Sequence, residues 1–238
     1  MSLPGMASSP NPALPVVTID GPSGAGKGTV SRALAQRVGW HLLDSGALYR
    51  LAALAGGRRG LSPDDAPGHA RLAADLDISF GAHADGSEQV MLDGQDVTTA
   101  IRSEEAGAGA SRVATWPALR QALMARQHAF VRAPGLVADG RDMGTVVFPG
   151  ARLKIFLVAS PEERARRRYN QLKGKDSGVS LAALSREIEA RDRQDSTRPV
   201  SPLVRAEDAI VVDSTQMGIA EVVEQIWLLG AIRGLWKS

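Results

Sequence analysis

The sequence predicts an α/β protein, a parallel sheet wrapped by helices, and three observations predict it. Short apolar or β-branched runs without a polar face recur along the chain. Segments of helical period separate them, as in sheets wound on both faces. The first run opens directly into a glycine-rich loop that leads to a helical pattern.

Taken in order, residues 1–14 are rich in Pro, Ser, Ala and Asn without periodicity, and a disordered, dispensable leader is expected there. Val16–Ile19 suits a strand buried on both sides of a parallel sheet. Thr29–Val38 reads as a helix, Leu42–Leu43 as a short strand, and Ser45 as the start of the next helix. The alternation then breaks. Asp77–Phe80, Glu88–Leu92 and Gln95–Val97, joined by turn-rich residues and by Asp93-Gly94, read as a small antiparallel meander inserted into the core. Strands return at Leu136–Ala138, Leu153–Leu157 and Ala209–Val212. Helices are expected at Pro117–Val131, Pro161–Leu172, Leu181–Arg193 and Ile219–Ala231. The expected organisation is one domain over 15–238, with a core of 15–60 and 114–238, an insert over about 61–113 and a lid over about 164–180.

Composition narrows the function classes. A chain of 238 residues, 44% hydrophobic, can bury one full core. With no cysteine, disulfides, thiolate metal sites and cysteine nucleophiles are excluded. No window approaches the roughly 20 apolar residues of a membrane span, and the first residues lack a signal-peptide pattern, so a cytoplasmic protein without a membrane partner is expected. A net charge of +2 and 4% aromatic residues argue against a nucleic-acid partner. Arg outnumbers Lys 23 to 5, which suits bidentate grip on phosphate but equally suits the codon bias of a GC-rich genome. Only arginines whose position adds something count.

Gly21, Pro22, Ser23, Gly24, Ala25, Gly26 and Lys27 match the spacing G-x-x-x-x-G-K between a buried strand and a helix. Glycines let such a loop turn its N–H groups inward onto one anion. Lys27 then reaches the β- and γ-phosphates of ATP, with the helix N-terminus aimed at the same site. The hydroxyl residue usual after the lysine is replaced by Gly28, with Thr29 one place later, so a direct hydroxyl ligand for Mg²⁺ is not expected. Further on, Ser45 and Arg50 stand where a second anion could be gripped, or are simply an N-cap and a solvated arginine.

The loop variant G-x-x-G-x-G-K-G-T resembles the nucleoside-monophosphate kinases. Together with Asp44–Arg50, the insert and Ala138–Thr145, it resembles the bacterial cytidylate kinases from about Val16 to the last helix. That resemblance implies a P-loop NMP-kinase fold with a small antiparallel insert in the NMP-binding region and a short helical lid. It implies ATP as co-substrate, CMP or dCMP as acceptor, and Mg²⁺ held mainly by the ATP phosphates and water, with no dedicated protein metal site. A monomer is expected. By resemblance, Ser45, Arg50, Arg141 and Arg191 surround the acceptor phosphate and ribose, with Arg198 close by. Ser111, Arg120 and Asp142 read the cytosine edge, and Asp195 accepts from the ribose hydroxyls. A carboxylate facing the exocyclic amine of cytosine would be left unpaired by uracil, which favours CMP over UMP.

Arg164, Arg167 and Arg168, three and four residues apart, share a helical face and can converge on one ligand, or simply belong to a solvated helix with Glu–Arg pairs, before a flexible break at Gly174–Gly178. Asp139 closes a buried strand at the edge where parallel sheets open to ligand. It is expected to meet water-bound Mg²⁺ or a lid arginine, or to cap the following turn. Phosphoryl transfer to a phosphate acceptor needs cations and positioning rather than a nucleophilic side chain or general base. His41, His128, Trp227 and Trp236 read as structural. Another P-loop kinase of UMP, AMP or shikimate type, and a non-catalytic ATP-binding regulatory or RNA-associated protein, are the competing readings.

Overall fold

The computed structural model describes residues 14–84, 87–172 and 180–237. The expected leader up to residue 13 and the expected break Gly174–Gly178 lie outside the described residues.

The chain forms two compact units. One ends at Asp44 and resumes at Gln127; the other is Ser45–Arg126. The first holds β1 (Val16–Asp20), α1 (Lys27–Val38), β2 (His41–Asp44), β6 (Leu136–Gly140), β7 (Leu153–Val158), α6 (Pro161–Leu172), α7 (Leu181–Thr197), β8 (Ile210–Asp213) and α8 (Ile219–Ile232). The second holds α2 (Ser45–Arg58), α3 (Ala66–Ala74), β3 (Ile78–Ala82), β4 (Glu88–Leu92), β5 (Gln95–Asp96) and α4 (Glu104–Val113). The helix α5 (Pro117–His128) carries the chain back to the first unit.

The first unit is built on a five-stranded sheet of order β2-β6-β1-β7-β8, parallel throughout. All five residues of β1 and of β6 are buried, as expected for central strands covered on both faces. Val30 and Leu34 of α1 and Val222 and Ile226 of α8 close the core over Val17, Ile19, Ile155 and Leu157. Each fully buried Leu, Ile or Val contributes roughly 1.5–3 kcal/mol of burial. Trp236 lies edge-on to Trp40, and its indole N–H donates to Trp227 O, so the late tryptophans are packing residues. His41 and His128 bond Ala133 O and Val147 O and are structural too.

In the second unit β3, β4 and β5 form the expected antiparallel meander. Its helices α3 and α4 were not expected from the sequence. Asp65 caps α3 ahead of Pro67, and Ser103 caps α4 ahead of Glu104 and Glu105, which are ordinary helix-start signals. The Gly- and Ala-rich sequence of α4 hides its apolar period, yet suits close approach: a side chain at Gly109 would sit 3.1 Å from Ala53 of α2. Two further boundaries differ. The helix α5 stops at His128 rather than Val131, and α7 runs on to Thr197 rather than Arg193.

Candidate active site

The loop between β1 and α1 is shaped by its glycines. A Cβ at Gly21, with φ +152°, would lie 2.0 Å from Leu157 O, and Gly26, with φ +92°, occupies the N-cap of α1 in the left-handed region. The first N–H groups of α1 are thereby left to an anion. Lys27, only 6% exposed, folds over the loop and donates to Pro22 O at 2.9 Å. Burial pulls its pKa down and the charge of Arg141 adds to that, while Asp139, Asp195 and Asp20 oppose them. A lysine so placed gains from a polyanion that restores its charged form.

Strand register brings three carboxylates to the same edge of the sheet. Asp20, Asp44 and Asp139 end or nearly end β1, β2 and β6, with Asp44 directly opposite Asp139. Burial pushes Asp139 well above the carboxylate range, and Asp44 adds to the rise while Lys27 and Arg141 oppose it. A Cβ at Gly28 would come 3.3 Å from Asp139 Oδ2. The missing hydroxyl after Lys27 thus has a physical counterpart, since the carboxylate stands beside that position. Asp20 accepts from Met143 N at 2.9 Å and Gly144 N at 2.8 Å.

The arginines of the first unit gather around this edge. Arg141 Nε donates to Asp195 Oδ2 at 2.9 Å. Burial alone would lower Arg141 and raise Asp195, but each partner's charge reverses the shift, so Arg141 stands above and Asp195 below its ordinary range. Arg191 is lowered by burial and then by Arg141, and its Nε is enclosed without a hydrogen-bond partner among the described residues. An incoming anion would relieve both. Arg198 is buried and donates to Ser201 O.

Of the three expected lid arginines on α6, two reach the donor loop itself. Arg164 Nη1 reaches Ser23 O at 3.0 Å and Asp192 at 2.6 Å. Arg167 Nη1 reaches Ala25 O at 3.2 Å and Ser214 Oγ at 3.0 Å, with Nε on Glu163 at 2.8 Å. Arg168 Nη1 donates instead to Gln171 on its own helix. Half-buried Asp192 and Glu163 hold Arg164 and Arg167 by ion pairs while their guanidinium groups meet the loop carbonyls.

In the second unit Arg50 Nη1 donates to Ile101 O at 2.7 Å, and the Arg120 guanidinium lies 5.6 Å over the ring of Tyr49. Ser45, Ser111 and Arg120 are buried. The structure thus gathers Lys27, Asp139, Arg141, Arg191 and Asp195 electrostatically in one unit and carries Ser45, Arg50, Ser111 and Arg120 on the other. Asp142, 3% exposed, follows Arg141 out of β6. Sequence reasoning missed Asp20, Asp192 and Ser214, while the Glu–Arg pairing weighed for this helix is seen between Glu163 and both Arg166 and Arg167. Only Asp20 carried a signal, a carboxylate closing an otherwise apolar strand. Among the described residues, no group of three His, Cys, Asp or Glu side chains could hold a metal ion, and no helix is long and apolar enough to cross a membrane.

A loop of inward N–H groups can hold a polyphosphate while cations beside it stabilise a phosphoryl group in transit. Fold and site together define a P-loop phosphoryl-transfer enzyme. The narrower assignment comes from relatives: the family model described as cytidylate kinase matches residues 17–230, and the chain belongs to the cytidylate kinase family. It is 58% identical over 222 residues to a cytidylate kinase of Pseudomonas fluorescens strain Pf0-1, covering 93% of this chain and 97% of that one. It is 60% identical over 218 residues to that of Pseudomonas aeruginosa strain LESB58, covering 91% and 95%. A solved shikimate kinase from Acinetobacter baumannii matches 91% of this chain and 93% of its own at a TM-score of 0.41 and 18% identity, a likeness too slight to bear on substrate.

Proposed function

We propose that the protein transfers the γ-phosphoryl group of ATP to CMP or dCMP, giving ADP and CDP or dCDP. The observation that carries this reading is the buried Lys27 beside the phosphate loop, within the electrostatic reach of Arg141 in a chain of the cytidylate kinase family. Lys27 and the loop N–H groups bind the donor phosphates, and Arg141 and Arg191 neutralise charge on the transferred group. The acceptor phosphate, dianionic at neutral pH, attacks without a general base. Ser45 and Arg50 hold it, with Arg198 close by. Ser111, Arg120 and Asp142 read the cytosine, and Asp195 meets the ribose. Asp142 gives the discrimination, because uracil would leave its carboxylate unpaired.

The donor set also fits a magnesium ion carried in by the nucleotide. Asp139 is a buried carboxylate whose ionised form burial disfavours and a cation would restore, and it would meet the ion chiefly through its water. When bound, the ion would supply neutralisation of the donor-phosphate charge. The protein acts as a cytoplasmic monomer. A panel of CMP, dCMP, UMP and AMP with ATP and Mg²⁺, followed by ADP release, tests the reading; a preference for UMP or AMP sinks the cytosine assignment.

A further inference from the structure

We infer that Asp20 is a positioning residue that ties the donor loop to the segment carrying Arg141 and Asp142, an inference that rests on the acceptor roles proposed for those two residues. Asp20 ends β1, and the next residue, Gly21, begins the donor loop. Its side chain bonds the segment that follows β6. Each carboxylate oxygen takes one backbone donor, Oδ1 from Met143 N at 2.9 Å and Oδ2 from Gly144 N at 2.8 Å.

Those two N–H groups need an external partner. Met143–Val147 is a single π-type turn in which Val146 N and Val147 N bond Asp142 O, so Met143 and Gly144 are its leading, uncommitted donors. Asp142 stands at the capping position but makes no side-chain cap bond. Asp20 performs that task from another strand, and the Asp142 carboxylate is not consumed by it. The fit is close: a Cβ at Gly144 would lie 2.9 Å from Thr18 Oγ1 and 3.3 Å from Asp20 Oδ2, so the turn lies flat on β1 only with glycine there.

A neutral side chain would cap the turn at less cost to the fold. Asp20 is 5% exposed, and burial pushes its carboxyl up to about 6, with Asp142 adding to the rise and the Gly144 and Met143 N–H groups and Lys27 opposing it. A carboxyl buried at such cost is expected at a functional site. Its effect here is to set the backbone from which Arg141 and Asp142 project relative to the strand that launches the donor loop.

The test compares the full chain with Asp20→Asn, which keeps one acceptor oxygen, and Asp20→Ala, which keeps none. Amide exchange at Met143 and Gly144 is expected to rise about tenfold in D20A and less in D20N, as for a lost buried hydrogen bond. The KM for CMP is expected to rise about tenfold in D20A while that for ATP moves less than about twofold. In a folded variant, equal rises in both KM values, or unchanged exchange, would overturn the inference. Should D20A fail to fold, D20N decides by the same readouts. Wild-type protein that turns over no CMP refutes the acceptor reading alone, because amide exchange still decides whether Asp20 holds the turn.

Discussion

The donor loop and the arginine set beside it serve neighbouring phosphates by opposite means. The loop works through backbone: glycines at 21, 24 and 26 set the chain, and the anion meets N–H groups that no substitution elsewhere removes. The arginine set works through side chains from separate elements, Arg141 after β6 and Arg191 on α7, held by countercharge such as Asp195. Backbone devices are local and rigid from the start. Side-chain devices depend on buried partners, so each of their members can be detuned singly.

That contrast is broken first at Lys27, the one side chain on which the backbone device depends. Lys27→Ala is expected to lower turnover by about a thousandfold, because charge on the transferred group loses its fixed cation. Circular dichroism should show the fold intact. Full activity in a folded variant would remove Lys27 from the mechanism.

The next effect is on stability and belongs to Asp20, where strand end and donor loop join. Its carboxyl is raised from an ordinary 3.8 to about 6, with burial as the leading cause. The folded protein therefore keeps a proton in that window which the unfolded chain has lost. This contribution to stability is complete below the lower value and is lost as pH rises through the upper one. The loss is about 3 kcal/mol. Denaturant titrations from pH 4 to pH 7 should show wild-type stability falling with pH relative to Asp20→Asn. Parallel curves would mean that Asp20 titrates normally.

The same contrast explains what could be read in advance. Val16–Ile19, the glycine loop and Lys27 are contiguous, and their chemistry is written in spacing, so the sheet and donor loop were legible. Asp192 was not, because the Arg164 it draws is set by packing of α6 against α7, whereas Glu163 meets Arg166 and Arg167 at the helical spacing of α6 itself. Three arginines on one face suggested a shared ligand, and two of them, Arg164 and Arg167, reach the carbonyls of Ser23 and Ala25 on the donor loop. The helix α4 went unread because Gly107, Gly109 and three alanines blur its apolar face even though Ser103 marks its start.

A smaller effect probes selectivity. Asp142→Ala should leave ATP binding intact while reducing the preference for CMP over UMP by between about ten- and a hundredfold, the range for a lost polar complement. Competition between the two acceptors at equal concentration measures it. An unchanged ratio would assign base recognition elsewhere.

The smallest expected effect separates the two devices on a single helix. Arg167 touches the donor loop through Ala25 O and is tied to Ser214 and Glu163, whereas Arg168 donates to Gln171 on its own helix. If Arg167 holds the loop carbonyl outward so that the amides face inward, Arg167→Ala should raise the KM for ATP by about tenfold, the worth of one charge-assisted hydrogen bond. Arg168→Ala should change it less. Thermal melts of the two variants, with and without ATP, distinguish loop bracing from general destabilisation: bracing predicts a reduced ATP-induced shift in Arg167→Ala at a similar starting melting temperature. A larger KM effect in Arg168→Ala would instead return the phosphate-gripping role to the exposed face of α6 and leave Arg167 as a structural tie.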